Sequence, residues 1–291
     1  MYRYIDEVNE LLANLKSTYL LTEATCAFYF SRVAKFFETY MSRPENVNKP
    51  QNTITYYDLN AYLAELKCSS AEKVNCYQSL KRYFDFSYLS NKTSEIMSHV
   101  EKPIHVSPPP QYIEDDHYKK LSDFVTDQTK SVDDRLLIGL FLFTGLSRNY
   151  IAQLTYSQFE YKQGLYYLKL WKDEKKCSKE YSIPLKAQIQ LLVDTQVQCA
   201  RKNGQLFSKV FNIDSNYMST RVSELTNEIV KKKYRPTEFS NTFIKKCLEH
   251  GNRVWEVSML TLESMTSIEK HVLEIDDDER VMRQSAIINS F

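Results

Sequence analysis

The sequence predicts a mainly α-helical fold with a small β-hairpin or sheet, an α+β class, arranged as two domains. Three observations carry this expectation. Apolar residues recur at helical spacing along most of the chain. One stretch near residue 170 sets aromatic and branched residues on both sides of a polar turn, and three consecutive prolines interrupt the pattern near residue 109. At 291 residues, 43% apolar and 26% charged, the chain is long enough for two cores of ordinary size.

Residues 1–102 read as a helical domain. From Thr22 onward, Tyr29, Val33, Phe36, Phe37 and Tyr40 fall on one face of a helix. The stretch "TITYYDLNAYLAEL" offers a second helix with Thr55 or Asp58 near its start. From Ser70 onward, Cys76, Leu80, Tyr83 and Phe84 form another apolar face, opposite Asn75, Gln78, Lys81 and Arg82. The sum is a bundle of about four helices. "EKPIHVSPPPQY" then favours an extended polyproline conformation, so residues 103–112 read as a semi-rigid linker.

Residues 113–291 read as the second domain. "DDHYKKLSDFVTDQ" and "SVDDRLLIGLFLFTGL" are helical, the latter a buried core helix. "GLYYLKLWKDEKKCSKEYSIPL" predicts a β-hairpin around a lysine-rich turn, and helices resume from "KAQIQLLVDTQVQCA". In "YRPTEFSNTFIKKCLEHG", Pro236 and the cap-capable Thr237 open an amphipathic helix of Phe239, Phe243, Cys247 and Leu248, which Gly251 ends. Lys231 to Lys233 read as a helix end complementing its dipole.

Composition narrows the function classes. A formal net charge of +1 carries no global nucleic-acid signature, so any basic footprint must be local. Six cysteines lie scattered without a C-x-x-C pair and the five histidines do not cluster with them, so neither a metal site, a disulfide framework nor a cofactor is expected. "MYRYIDEVNELLANL" is too polar for a signal peptide, and "LLIGLFLFTGL" is too short to span a bilayer. A reducing cytoplasm and no membrane partner are the expectation.

Four segments in order carry a resemblance. "LFLFTGLSRNYIAQLTYSQF" keeps Thr144, Gly145, Leu146, Ile151 and Leu154 of a T-G-L-R-x-x-E-[IL]-x-x-L pattern. "KKCSKEYSIPL" keeps Lys179, Glu180, Ile183, Pro184 and Leu185 of a hairpin pattern. Phe239, Thr242, Phe243, Leu248, Glu249 and Gly251 keep the frame of an H-x-L-R-H-[ST]-F box. "GNRVWEVSMLTLESMTSIEKHV" is similar to a closing L-G-H-x-S segment. The chain thus resembles the tyrosine recombinases, the phage integrase family, over nearly its whole length.

The resemblance implies a two-domain clamp on DNA: a helical core-binding-like domain, a linker, and an integrase-like domain. It also places the family's reactive positions. The first arginine falls on Ser147, the histidine on Thr237, the second arginine on Ser240 and the next histidine on Asn241. The glycine-histidine pair falls on Leu262 and Glu263, and the tyrosine nucleophile on His271 or Val272. The lysine falls on Lys176, with Lys172 and Lys175 close by. None of the 21 tyrosines follows Tyr234. Removing one preorganised donor costs roughly 10²- to 10³-fold in rate, so the expectation is that the chain is not an enzyme. Arg148, one residue past the first arginine position, is turned about 100° along a helix and needs a bulge to substitute.

What the resemblance leaves is binding. Lys73, Lys81 and Arg82 in the first domain are the expected DNA contacts. In the second, the candidates are Arg148, Asn149, Lys172, Lys175, Lys176, Arg235, Asn241 and Lys245. The expected function is a sequence-specific double-stranded DNA-binding regulator, a repressor of a prophage or mobile element, cytoplasmic and nucleoid-associated. The alternative is an accessory partner of an authentic recombinase, joined through the C-terminal segment. That segment ends in Ala286, Ile287, Ile288 and Phe291, an apolar run suited to homo-oligomer or partner docking.

Overall fold

The computed structural model describes residues 2–105, 108–174 and 177–272. The chain divides into two compact units, Met1–Pro108 and Pro109–Phe291, a division that falls inside the proline-rich segment.

The first unit is helical. Its elements are α1 (Ile5–Tyr19), α2 (Glu23–Phe36), α3 (Tyr56–Glu65) and α4 (Ser70–Leu89). Thr22 caps α2 by accepting from the Thr25 amide, and Ser69 caps α4 by accepting from the Glu72 amide. At α3 both sequence candidates act together: Asp58 accepts from the Thr55 amide and hydroxyl, and the Lys49 ammonium closes on its carboxylate at 2.7 Å. Beyond Phe36 the helix widens into a π turn over Phe37–Met41. One wider turn lets the adjacent Phe36 and Phe37 both enter the core, with Tyr40 and Met41 following. Tyr2 and Tyr4 stack on Phe37 at 5.3 and 5.1 Å, and Tyr83 meets it edge-on at 5.3 Å.

Leu20 ends α1 with φ +52° and stands 84% exposed. A non-glycine residue in the left-handed region is strained, and no burial of this side chain offsets the strain. Leu20→Gly is expected to raise the stability of this unit by about 0.5–1 kcal/mol. A urea titration followed by circular dichroism reads it, and a lower midpoint would refute the account.

The second unit is mixed. Helices α5 (Asp115–Thr126), α6 (Val132–Thr144) and α7 (Arg148–Gln153) precede strands β1 (Phe159–Lys162), β2 (Leu165–Glu174) and β3 (Cys177–Pro184). Then come α8 (Ala187–Lys202), α9 (Ser215–Val230), α10 (Pro236–Glu249), α11 (Val254–Thr261) and α12 (Met265–Val272). The strands form one antiparallel sheet in the order β1-β2-β3. The β2–β3 pair is the expected hairpin, in the register Leu168↔Ile183 and Leu170↔Tyr181. Strand β1 adds an edge through a two-residue turn in which Gln163 and Gly164 both take positive φ.

Helix α6 is the axis of this core. Every residue from Leu136 to Thr144 is buried, and it packs against α5, α8, α9 and α10. Gly139 lets α8 approach, since a methyl there would lie 2.6 Å from Ile189 Cγ2. No described helix is long and apolar enough to cross a membrane.

Candidate nucleic-acid interface

The C-terminal end of α6 and the first turns of α10 meet. Gly145 ends α6 with φ +65°, and its carbonyl accepts a 2.8 Å hydrogen bond from the Ser240 hydroxyl. Phe243, one turn on, fills the space a side chain at Gly145 would need. Ser240 is only 8% exposed, so its hydroxyl serves the α6–α10 junction. Ser147 follows as the residue before α7, half-exposed, its carbonyl accepting from the Tyr150 and Ile151 amides. The first box and the helix of "RPTEFSNTF", nearly a hundred residues apart in sequence, are therefore one structure.

Arg148 turns away from this junction. Its guanidinium donates to the Ser219 hydroxyl on α9 at 3.0 Å, and α7 starts without a bulge that would bring it to the Ser147 position. Asn149 is exposed beside it. At the start of α10 the cap differs from the sequence expectation. Arg235, not Thr237, precedes the helix; its amide donates to Glu238 Oε2 at 2.7 Å, and Pro236 opens the first turn. Thr237 is exposed in that turn, as is Arg235.

Lys172, on β2, donates to the Leu262 carbonyl at 2.5 Å. Leu262 ends α11 in the left-handed region, φ +61°, while 4% exposed, so a buried side chain is held where glycine is the unstrained choice. Glu263 follows half-exposed, its carbonyl accepting from the Ser258 hydroxyl. Lys175 and Lys176 lie outside the described residues, as does everything after Val272, including the apolar run at 286–291.

Asn241, Lys245 and His271 gather around the start of this unit. The Asn241 amide donates to the Gln111 carbonyl at 3.0 Å, Lys245 sits over the Tyr112 ring at 4.7 Å, and His271 Nδ1 shares a 2.9 Å hydrogen bond with the Tyr112 hydroxyl. His271 is 5% exposed. Gln111 and Tyr112 had only the signal of a proline-rich segment, so this docking was invisible to periodicity.

In the first unit, Lys73, Lys81 and Arg82 all belong to α4. Lys73 reaches the Ala64 carbonyl at 3.5 Å, Lys81 pairs with Asp85 at 3.0 Å, and the Arg82 guanidinium lies over the Tyr19 ring at 5.3 Å. Lys81 and Arg82 are exposed, Lys73 half-buried. Of the three lysines at 231–233, Lys231 ends α9 and donates to the Glu228 carbonyl, and Lys232 pairs with Glu114.

No family model matches the chain and no curated protein does. Solved structures do. One is the XerH site-specific recombinase bound to a palindromic difH substrate as a post-cleavage complex, with TM-score 0.70 and 18% identity over 97% of this chain and 84% of that one. Another is the Tn1549 transposon integrase in complex with transposon right end DNA, with TM-score 0.70 and 10% identity over 97% and 99%. A third is a lambda integrase dimer bound to a COC′ core site, with TM-score 0.65 and 14% identity over 93% and 95%. The chain has the tyrosine recombinase fold.

The expectation that the chain is not an enzyme is corrected by these likenesses. The solved structures that share its fold are of a site-specific recombinase, as a post-cleavage complex, and of two integrases, so the fold is one that enzymes use. The expectation rested on residue types at Ser147, Thr237, Ser240, Glu263 and His271 and on the lack of a tyrosine after Tyr234, all read from sequence.

Proposed function

We propose that this chain binds double-stranded DNA at specific sequences and, by occupying them, regulates transcription of a prophage or other mobile element at the nucleoid. The observation that carries the reading is the exposure of Arg148 and Asn149 at the start of α7 and of Arg235 before α10, in a fold whose solved examples include complexes with DNA. Guanidinium groups suit phosphate because their planar fork stays charged and presents two donors together. In the first unit, Lys81 and Arg82 on the exposed side of α4 supply further contacts, with Lys73 beside them. Lys172 on β2, and Lys175 and Lys176 beyond it in sequence, extend the candidate set. Asn241 and Lys245 serve Gln111 and Tyr112, and Arg148 donates to Ser219 with its remaining guanidinium donors exposed, so the phosphate contacts centre on Arg148 and Arg235.

The test is selection of duplexes from a fragmented genomic library, followed by affinity measurement on the enriched sites across a salt series. Enrichment of a few related sites is expected. The double variant Arg148→Glu, Arg235→Glu is expected to bind at least roughly tenfold more weakly, with a salt slope shallower by about 2, since each phosphate contact contributes about 0.9. Unchanged affinity and slope, or no enrichment over random DNA, would sink the reading. A denaturing gel of the recovered DNA reads strand cleavage or a protein adduct in the same experiment.

A further inference from the structure

Residues 111–115 are tied to the rest of the second unit by a row of contacts rather than by one. The Ile113 amide donates to Thr242 Oγ1 at 2.8 Å, the Gln111 carbonyl accepts from Asn241, and Lys246 pairs with Asp115 at 2.9 Å. All of these end on α10. Glu114 reaches Lys232 and the Tyr234 hydroxyl, between α9 and α10, while Tyr112 reaches α12: its hydroxyl meets His271 Nδ1 at 2.9 Å, with the rings edge-on at 5.7 Å. His271 belongs to α12, the last described helix, whose apolar seat is a small cluster of Ile268 with Ile244, Leu248 and Val257. A helix of eight residues with so small a seat has little stability of its own.

We propose that Tyr112 and His271 form a latch that makes the docking of the 109–113 segment and the packing of α12 a single cooperative unit. The segment adjoining the boundary between the two compact units and the helix leading into the C-terminal residues then loosen or tighten together. Because coupling between sites is reciprocal, a partner that engages α12 resets the segment between the units, and a pull on that segment is felt at α12. Asn241 and Lys245 act here as positioning residues, holding Gln111 and Tyr112 so that the hydroxyl faces the imidazole. This inference goes beyond DNA binding and does not rest on it.

The test is amide hydrogen exchange on the full chain with Tyr112→Phe and Thr242→Val. Tyr112→Phe keeps the ring and its contact with Lys245 and removes only the hydroxyl, so it keeps the packing. It is expected to speed exchange at the Ile113 amide and across Ile268–Val272 together, by about five- to tenfold, the loss of one hydrogen bond. Thr242→Val removes the acceptor of the Ile113 amide. It is expected to speed exchange in α12 in the native background and to have no further effect there once Tyr112 is Phe. The latch is overturned if either segment keeps its native rate in Tyr112→Phe, or if Thr242→Val acts on α12 equally in both backgrounds.

Discussion

Gly145→Ala is expected to destabilise the second unit by about 3–5 kcal/mol. Two costs add. A left-handed φ of +65° costs a residue with a side chain roughly 1 kcal/mol. The new methyl would lie 2.4 Å from Phe243 Cδ1, 2.8 Å from its Cγ and 3.0 Å from its Cβ, so swinging the ring does not make room and α10 itself must retreat. Overpacking of this kind costs about 1–3 kcal/mol, and the retreat stretches the Ser240–Gly145 hydrogen bond, about 1 kcal/mol more. Gly164 is the control. It has φ +84° with nothing within 4 Å of an added methyl, so Gly164→Ala should show the backbone cost alone, about 1 kcal/mol. Denaturant titrations of both variants settle the point, and equal losses would show that the contact with Phe243 carries nothing.

Raising the pH above 10 is expected to unfold the first unit before the second. Burial, reinforced by Glu7 and Asp58, pushes the Tyr2 phenol up to about 12. Burial and the hydrogen bond to Glu38 do the same for Tyr4, also to about 12. Burial raises Tyr62 and Tyr83 further still, next to Cys76 and Glu7 respectively. A raised folded-state pKa means that the neutral form is the one the fold holds. The associated stability is therefore complete below the unfolded value near 10 and is lost as pH climbs through the folded values. With four such groups, the difference in protons bound between folded and unfolded first unit approaches about four. In the second unit Tyr166, buried and bonded to Asp194, is pushed up to about 12, and burial raises Tyr118 and Tyr156 as well. Both tryptophans, Trp171 and Trp255, lie in the second unit, so their emission maximum reports it alone. Helical circular dichroism should fall near pH 11 while that maximum stays put; a shift of the maximum first would reverse the order.

Much of the fold was legible because the signals were local. The apolar run at Leu136 to Thr144 is too hydrophobic to face water on any side, and α6 is buried along all of that run. Thr55 and Asp58, three residues apart, form the cap that their spacing suits. Gly145 and Phe243 were visible as motif, and the structure supplies their reason: a glycine without Cβ and an aromatic ring fit one junction, which Ser240, at a position where the motif is not kept, closes with a hydrogen bond. What stayed hidden was long-range. Nothing in "SPPPQY" marks Tyr112 as the partner of a histidine 159 positions later. The Arg235 cap was hidden for a different reason. A threonine in the first turn is the stronger propensity signal, yet Glu238 and Pro236 set the cap two residues earlier.

The α6–α10 junction also bears on how the chain is made. Ser240 bonds Gly145 across 95 residues, so during synthesis α6 leaves the ribosome well before the helix that covers its end. At about 5–20 residues per second that interval is roughly 5–20 s. For that time one of the most apolar stretches in the protein is without its final cover, while the first unit, made of contacts within its own hundred residues, already has its whole core in hand. The nascent second unit is thus the natural client of a ribosome-associated chaperone, and slowing translation between α6 and α10 would lengthen its period of dependence.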